Sequence, residues 1–181
     1  CWQPNLYLIF NRMDIIDLLE KGFWAGFAAL GFAILFNVPQ RTLLIIWLMG
    51  ALGGLTKFFL LGLDVNIALA SLAGASLIGI LSVYAAHNKQ APPLVFSTPA
   101  VIPMVPGAFA YRMMLGCMEL AGTSVNSETY LNTLAETTNN GLKAFFILVA
   151  LSAGVAVPML VTRKDSFKRI KSSHEQEQEL E

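Results

Sequence analysis

Long uncharged stretches, separated by short polar segments, fill the chain between Gly22 and Thr162. A helix needs about 20 apolar residues to cross the hydrocarbon core of a bilayer. Five stretches reach that length, and only the second contains a charged residue, Lys57: 22–40, 42–63, 65–88, 90–111 and 144–162. The pattern therefore predicts an all-α integral membrane protein, a bundle of about five transmembrane helices that occupies residues 22–162.

The segments outside these spans are more polar. Residues 118–140 contain three glutamates and are predicted to form a long loop or an interfacial helix between the fourth and fifth spans. Residues 1–21 form an N-terminal segment, within which Met13 is the more plausible start. Residues 163–181 place a basic block before an acidic one. Basic residues favour the cytoplasmic side, so we expect a cytoplasmic C-terminal tail.

Composition narrows the class of protein. Charged residues make up 13% of the chain and the mean hydropathy is +0.60, whereas a soluble domain carries about 25% charged residues. The net charge is zero, which gives no electrostatic reason to expect nucleic-acid binding. The cysteines, Cys1 and Cys117, and the histidines, His87 and His174, have no metal-ligand spacing. Phosphate-loop and hydrolase motifs are also absent from the sequence, so we expect neither an enzyme nor a cofactor or metal.

A cluster of prolines interrupts the fourth apolar stretch. Pro99, Pro103 and Pro106 precede Gly107, and each proline removes a backbone donor and disfavours a continuous helix. Broken backbone within a membrane is tolerated where it is buried in protein or lines a watery cavity. Transporters place such half-helices at their substrate sites, and a helix N-terminus near Gly107 would favour a carboxylate. The alternative is a kinked helix without a ligand role.

Two basic residues are candidates for a counter-charge to an anionic substrate. Lys57 lies inside the second span, where a charge is costly and often functional. Its alternative is to extend to the membrane surface near Asp64. Arg112 follows the proline cluster and has the donor geometry to hold a carboxylate. Its alternative is an ion pair with Glu119 or Glu136 at the membrane edge.

Small residues at a spacing of four indicate where helices pack closely. Gly22 and Gly26 form one such pair in the first span, and Gly50 and Gly54 form another in the second. This spacing lets transmembrane helices approach each other, although it is a weak signal alone and says nothing of a substrate.

Two motifs together resemble the threonine/serine exporter (ThrE) family. The first, at the end of span one, ends in Asn37-Val38-Pro39, and the second is the Pro99–Gly107 segment. The resemblance runs from about Met13 to about Arg163. It is to the small, separately encoded subunit of the split, two-protein form of the family.

The resemblance implies a function and a partner. Single-chain members export threonine and serine, and the split pair is linked to export of succinate. By this resemblance the chain would be the small subunit of a secondary exporter of small carboxylates, succinate first. It would work in the lipid bilayer of the bacterial inner membrane with a larger membrane subunit. Two alternatives stay open: a threonine/serine exporter subunit, and a structural subunit without a substrate site of its own. Lys57 and Arg112 receive no role from the resemblance.

Overall fold

The computed structural model describes the backbone of residues 15–89, 91–122 and 127–178, and the side chains of 16–89, 91–122 and 130–162. All regular structure in these residues is helical. The elements are α1 (Ile15–Leu35), α2 (Gln40–Gly62), α3 (Ile67–Lys89), α4 (Pro93–Val101), a 3-10 turn (Ile102–Met104), α5 (Gly107–Ala121) and α6 (Ser127–Gln178). Four helices are long and apolar enough to cross a membrane, and a bent pair makes a fifth candidate crossing. The predicted all-α membrane bundle is confirmed.

The Asn-Val-Pro motif closes α1 and starts α2. Asn37 adopts a positive φ of 54°, a conformation that asparagine tolerates better than most residues. The N–H of Val38 then bonds to the carbonyl of Ala33 at 3.0 Å, as in a Schellman motif. Pro39 precedes the first turn of α2 and accepts a 2.7 Å hydrogen bond from the hydroxyl of Thr42. The motif is therefore a tight helix-to-helix connection.

The end of α2 repeats this geometry. Asp64 has a φ of 57°, and the N–H of Val65 bonds to the carbonyl of Leu60 at 3.2 Å. Asn66 follows, and its side-chain oxygen accepts a 3.0 Å hydrogen bond from the N–H of Ala68 in the first turn of α3. Because both connections are short, α1, α2 and α3 pack as antiparallel neighbours. We call the end of the bundle that carries Asp64 the α2–α3 end.

The predicted packing glycines lie where α1 crosses α2, and all four are buried. Each faces a residue of the other helix: Gly22 faces Leu55, Gly26 faces Trp47, Gly50 faces Ala29 and Gly54 faces Ala25. A Cβ on Gly50 would lie 2.5 Å from the Cβ of Ala29, so a larger residue would force the two helices apart.

Helix α6 packs along α3 and runs parallel to it. A Cβ on Gly154 would lie 2.7 Å from the Cβ of Ala75 and 2.9 Å from the carbonyl oxygen of Leu72. One turn further on, a Cβ on Gly79 would lie 3.1 Å from Pro158. The helices therefore meet through small residues, with α6 closing the bundle on the side of α3.

The break predicted in the fourth span is present, because α4 and the turn are bent by 54° against α5. The bounds of the fourth and fifth spans differ from the prediction, since α5 continues past residue 111 to Ala121. Residues 118–140, predicted as a long loop or an interfacial helix, are helical over most of their described length, because α5 ends at Ala121 and α6 already begins at Ser127. Likewise α1 begins at Ile15, so part of the predicted N-terminal segment belongs to the first helix.

Close packing explains why the polar segment is helical. Helix α5 folds back on the first part of α6, with Gly116 against Thr137 and with a Cβ on Gly141 only 2.9 Å from the sulfur of Met113. The candidate membrane-crossing part of α6 covers Tyr130–Thr162, 33 residues, or about 50 Å of helix. A bilayer core is about 30 Å thick. The α5–α6 hairpin therefore extends past the α2–α3 end of the bundle.

Candidate functional site

The proline cluster breaks the backbone between α4 and α5. Pro99 is accommodated inside α4, and Pro103 lies in the 3-10 turn. Val105 is extended, with φ −60° and ψ 135°, as expected for a residue before a proline. Pro106 then precedes Gly107, the first residue of α5. The break therefore lies at Val105 and Pro106, toward the end of the predicted segment.

Lys57 binds directly to this break. Its Nζ donates a 2.9 Å hydrogen bond to the carbonyl oxygen of Met104, the last residue of the turn. The Lys57 side chain is only 9% exposed. A carbonyl at the end of an interrupted helix lacks a helical N–H partner, and a cation is favourable at that end of the helix dipole. Lys57 therefore satisfies a backbone acceptor that the prolines leave free.

A cavity of about 500 Å³ opens beside this contact. Its inner part is formed by Lys57, Pro103 and Met104. Residues from the beginning of α1 and from α2 complete the lining: Asp17, Glu20, Lys21, Trp24, Ala25, Ala28, Gly54 and Phe58. The volume suits a small-molecule site. We call this space the Lys57 cavity.

The charges of the Lys57 cavity differ between its inner part and its rim. Asp17, Glu20 and Lys21 are exposed, and their spacing of three and four residues places them on one face of α1. Lys57 is the buried charge. An ammonium has three donors, and the hydrogen bond that Lys57 makes among the described residues uses one of them. The remaining donors are suited to a carboxylate.

The other predicted site residues do not line this cavity. Pro99 and Pro106 are buried beside the break, whereas Gly107 and Arg112 are exposed on α5. A Cβ on Gly107 would meet no atom within 4 Å. The structure thus brings Lys57 and Pro103 together, and it places Arg112 on the projecting hairpin.

Several polar residues near the sites escaped the sequence analysis. Asp17, Glu20 and Lys21 fall in the predicted N-terminal segment 1–21, but the earlier start of α1 places them among the residues that line the cavity. Lys143 precedes the stretch chosen as the fifth span, although it lies well inside α6. Its position immediately before the apolar stretch 144–162 was the available signal. Among the described residues, no group of three or more histidine, cysteine or acidic side chains is placed to hold a metal ion.

Comparison with known proteins identifies a family and relatives of this chain. The profile of a family described as threonine/serine exporter, ThrE, matches residues 21–161. An uncharacterized protein of Haemophilus influenzae is 31% identical over 147 residues, which cover 81% of this chain and 48% of the relative. The chain therefore spans about half the length of that relative. No solved structure matches.

Proposed function

Because this chain belongs to the threonine/serine exporter family, we propose that it is the small membrane subunit of a secondary exporter of small carboxylates, with succinate as the first candidate. The observation that carries the proposal is the buried Lys57 ammonium, which faces a cavity of about 500 Å³ and binds the broken helix. A charged residue inside a membrane span commonly marks a functional site, and transporters place their substrate sites at discontinuous helices.

In the proposed mechanism, the substrate carboxylate competes with the Met104 carbonyl for Lys57. Both hydrogen bonds are charge-assisted through the ammonium, but a carboxylate also carries a full negative charge that attracts the ammonium, so a carboxylate is the better acceptor. As Lys57 turns toward the substrate, the end of the 3-10 turn loses its partner. The angle of 54° between α4 and α5 is then free to change. Binding is thereby coupled to a movement of the broken helix, against a fixed framework of α1, α2 and α3.

The rim of the Lys57 cavity offers a way to distinguish the two substrate classes. The second carboxylate of succinate would pair with Lys21, whereas the ammonium of threonine or serine would pair with Asp17 or Glu20. Both classes would place their first carboxylate on Lys57. Lys21→Gln is therefore expected to weaken dicarboxylate export, and the double change Asp17→Asn with Glu20→Gln is expected to weaken amino-acid export.

The larger partner subunit is supported by two observations. The Haemophilus influenzae relative has about twice the length of the matched region, so a second half exists in that protein. Helix α5 buries none of its residues in this chain, and Tyr111, Met114 and Met118 are 60%, 55% and 64% exposed. We propose that this apolar side of the α5–α6 hairpin contacts the larger subunit.

The proposed orientation places the cavity on the extracytoplasmic side. Arg41 and Lys89 lie at the end of the bundle opposite the α2–α3 end, where α6 also leaves it. Basic residues favour the cytoplasm, so that end is proposed to be cytoplasmic, with the C-terminus inside the cell. The rim of the Lys57 cavity then opens toward the outside, where an exporter releases its substrate.

The structural-subunit alternative also has an observation in its favour, because Lys57 stabilises the break whether or not a substrate binds.

The test of the proposed function is efflux of labelled succinate and labelled threonine from cells that lack their own exporters. Efflux is measured with this chain alone, with the larger subunit alone and with both. Succinate efflux that requires both chains supports the proposal, and threonine efflux supports the amino-acid alternative. If efflux needs only the larger subunit, and this chain merely raises its abundance, the structural reading is correct.

A further inference from the structure

A second cavity, of about 520 Å³, lies between α3 and α6 and is separate from the Lys57 cavity. Its polar residues, Asn66, Asn139 and Lys143, come from the connection before α3 and from α6. The rest of its lining is apolar: Ile67, Ala68, Leu69, Leu72, Leu142, Phe146, Val149, Ala150 and Ala153. We call this space the α3–α6 groove.

The polar residues of the groove present donors. The oxygen of Asn66 is already used by the N–H of Ala68 at 3.0 Å, which leaves its amide N–H groups as donors for another partner. The Nζ of Lys143 lies 5.9 Å from the centre of the Phe109 ring. In the part of the chain that the structure describes, this ring, and no carboxylate, faces the ammonium. The polar part of the groove therefore favours an anion.

The lining of the groove changes from polar to apolar toward the interior of the bilayer. Asn66 lies at the α2–α3 end, immediately before α3 enters the membrane, and α3 and α6 run inward in parallel. Leu72 lies six residues beyond Asn66, and Ala153 lies ten beyond Lys143, or about 9 and 15 Å deeper along their helices. The groove is thus polar at the depth of lipid headgroups and apolar at the depth of acyl chains.

We propose that the α3–α6 groove binds one anionic phospholipid. The phosphate would lie on Lys143 and Asn66, and one acyl chain would cover the apolar wall down to Ala153. An anionic lipid fits better than a zwitterionic one, because the cationic headgroup of the latter would approach Lys143. A small carboxylate fits poorly, because it would leave the apolar wall without a covering.

The test is lipid retention by the full chain, purified in detergent and analysed by native mass spectrometry. Phosphatidylglycerol and phosphatidylcholine are offered in equal amounts. We expect one phosphatidylglycerol to be retained in preference, and Lys143→Gln to reduce its retention about fivefold, the effect of one basic residue at an anionic surface. Lys89→Gln is the matched control, because Lys89 is exposed at the other end of α3 and lies outside the groove.

Two further measurements distinguish a bound phospholipid from a bound free phosphate. Ala153→Phe fills the apolar wall and is expected to reduce phosphatidylglycerol retention while leaving Lys143 in place. Soluble glycerol phosphate at millimolar concentration is expected not to displace the lipid. Displacement would instead identify a site for free phosphate and overturn the proposal. Equal retention of both lipids by the unaltered chain, or unchanged retention by Lys143→Gln, would overturn it as well. Because retention needs no transport, the result is independent of the proposed export function.

Discussion

Replacing Lys57 by methionine separates the transport role of this residue from its structural role. Methionine keeps a flexible side chain of similar length but removes the ammonium that donates to Met104. We expect the variant to reach the membrane in normal amounts and to lose carboxylate export. Lys57→Gln, which keeps a neutral donor, is expected to hold the break as the native residue does while still failing to export.

Two opposing terms set the expected change in stability. Leaving the Met104 carbonyl without its donor costs about 1–3 kcal/mol. Removing a charge from the centre of a membrane span stabilises the protein by about 2.5–3.5 kcal/mol. The gain is smaller here, because Lys57 lies about 7.5 Å from the end of α2. The terms nearly cancel, so we expect the free energy of unfolding to change by less than about 1.5 kcal/mol.

The expected effect on substrate binding is larger because nothing compensates it. A hydrogen bond between an ammonium and a carboxylate contributes about 1.5–3 kcal/mol, which corresponds to a loss of affinity of about 10- to 150-fold.

The assay is labelled-succinate efflux in cells that contain both subunits, normalised to the amount of this chain in the membrane. Lys89→Met, which changes an exposed lysine at the opposite end of the bundle, is the control. Native efflux by Lys57→Met at normal abundance would refute the reasoning. A loss of efflux that merely follows a loss of protein would favour the structural role.

Three further predictions concern positions where the backbone geometry is specific. Gly107→Leu is expected to keep normal membrane abundance, because a Cβ there meets no atom within 4 Å. It is expected to block export, because the larger side chain would lie at the break between α4 and α5; normal efflux would remove Gly107 from the substrate path. Gly154→Ala is expected to cost about 1–3 kcal/mol in thermal unfolding through overpacking against α3. Gly31→Ala, where a Cβ meets nothing, should be neutral or stabilising by up to about 1 kcal/mol, and equal effects at the two sites would contradict the close α3–α6 contact. Asn37→Val is expected to cost about 1–2 kcal/mol, because a β-branched residue disfavours the positive φ. Asn37→Gly should preserve stability, and a tolerated valine would show that the Schellman geometry is unimportant.

The family resemblance and the fold class were accessible from the sequence because both depend on local patterns. Apolar runs of about 20 residues predict spans without knowledge of their partners. The Asn37-Val38-Pro39 motif also acts locally, since the positive φ of Asn37 and the Schellman hydrogen bonds involve residues of one connection. The prolines likewise predicted a broken helix, although not which of them would be accommodated within α4.

The sequence by itself thus determined the apolar spans, the short connections and the presence of a break, because these follow from residues that are neighbours in the chain. Only the tertiary structure decided what Lys57 binds, since Met104 is 47 residues away. It also decided that the polar segment after α5 is helical, because Gly116 and Gly141 let two helices pack closely. Both outcomes depend on contacts between distant segments, which burial and close approach select and which no local pattern encodes.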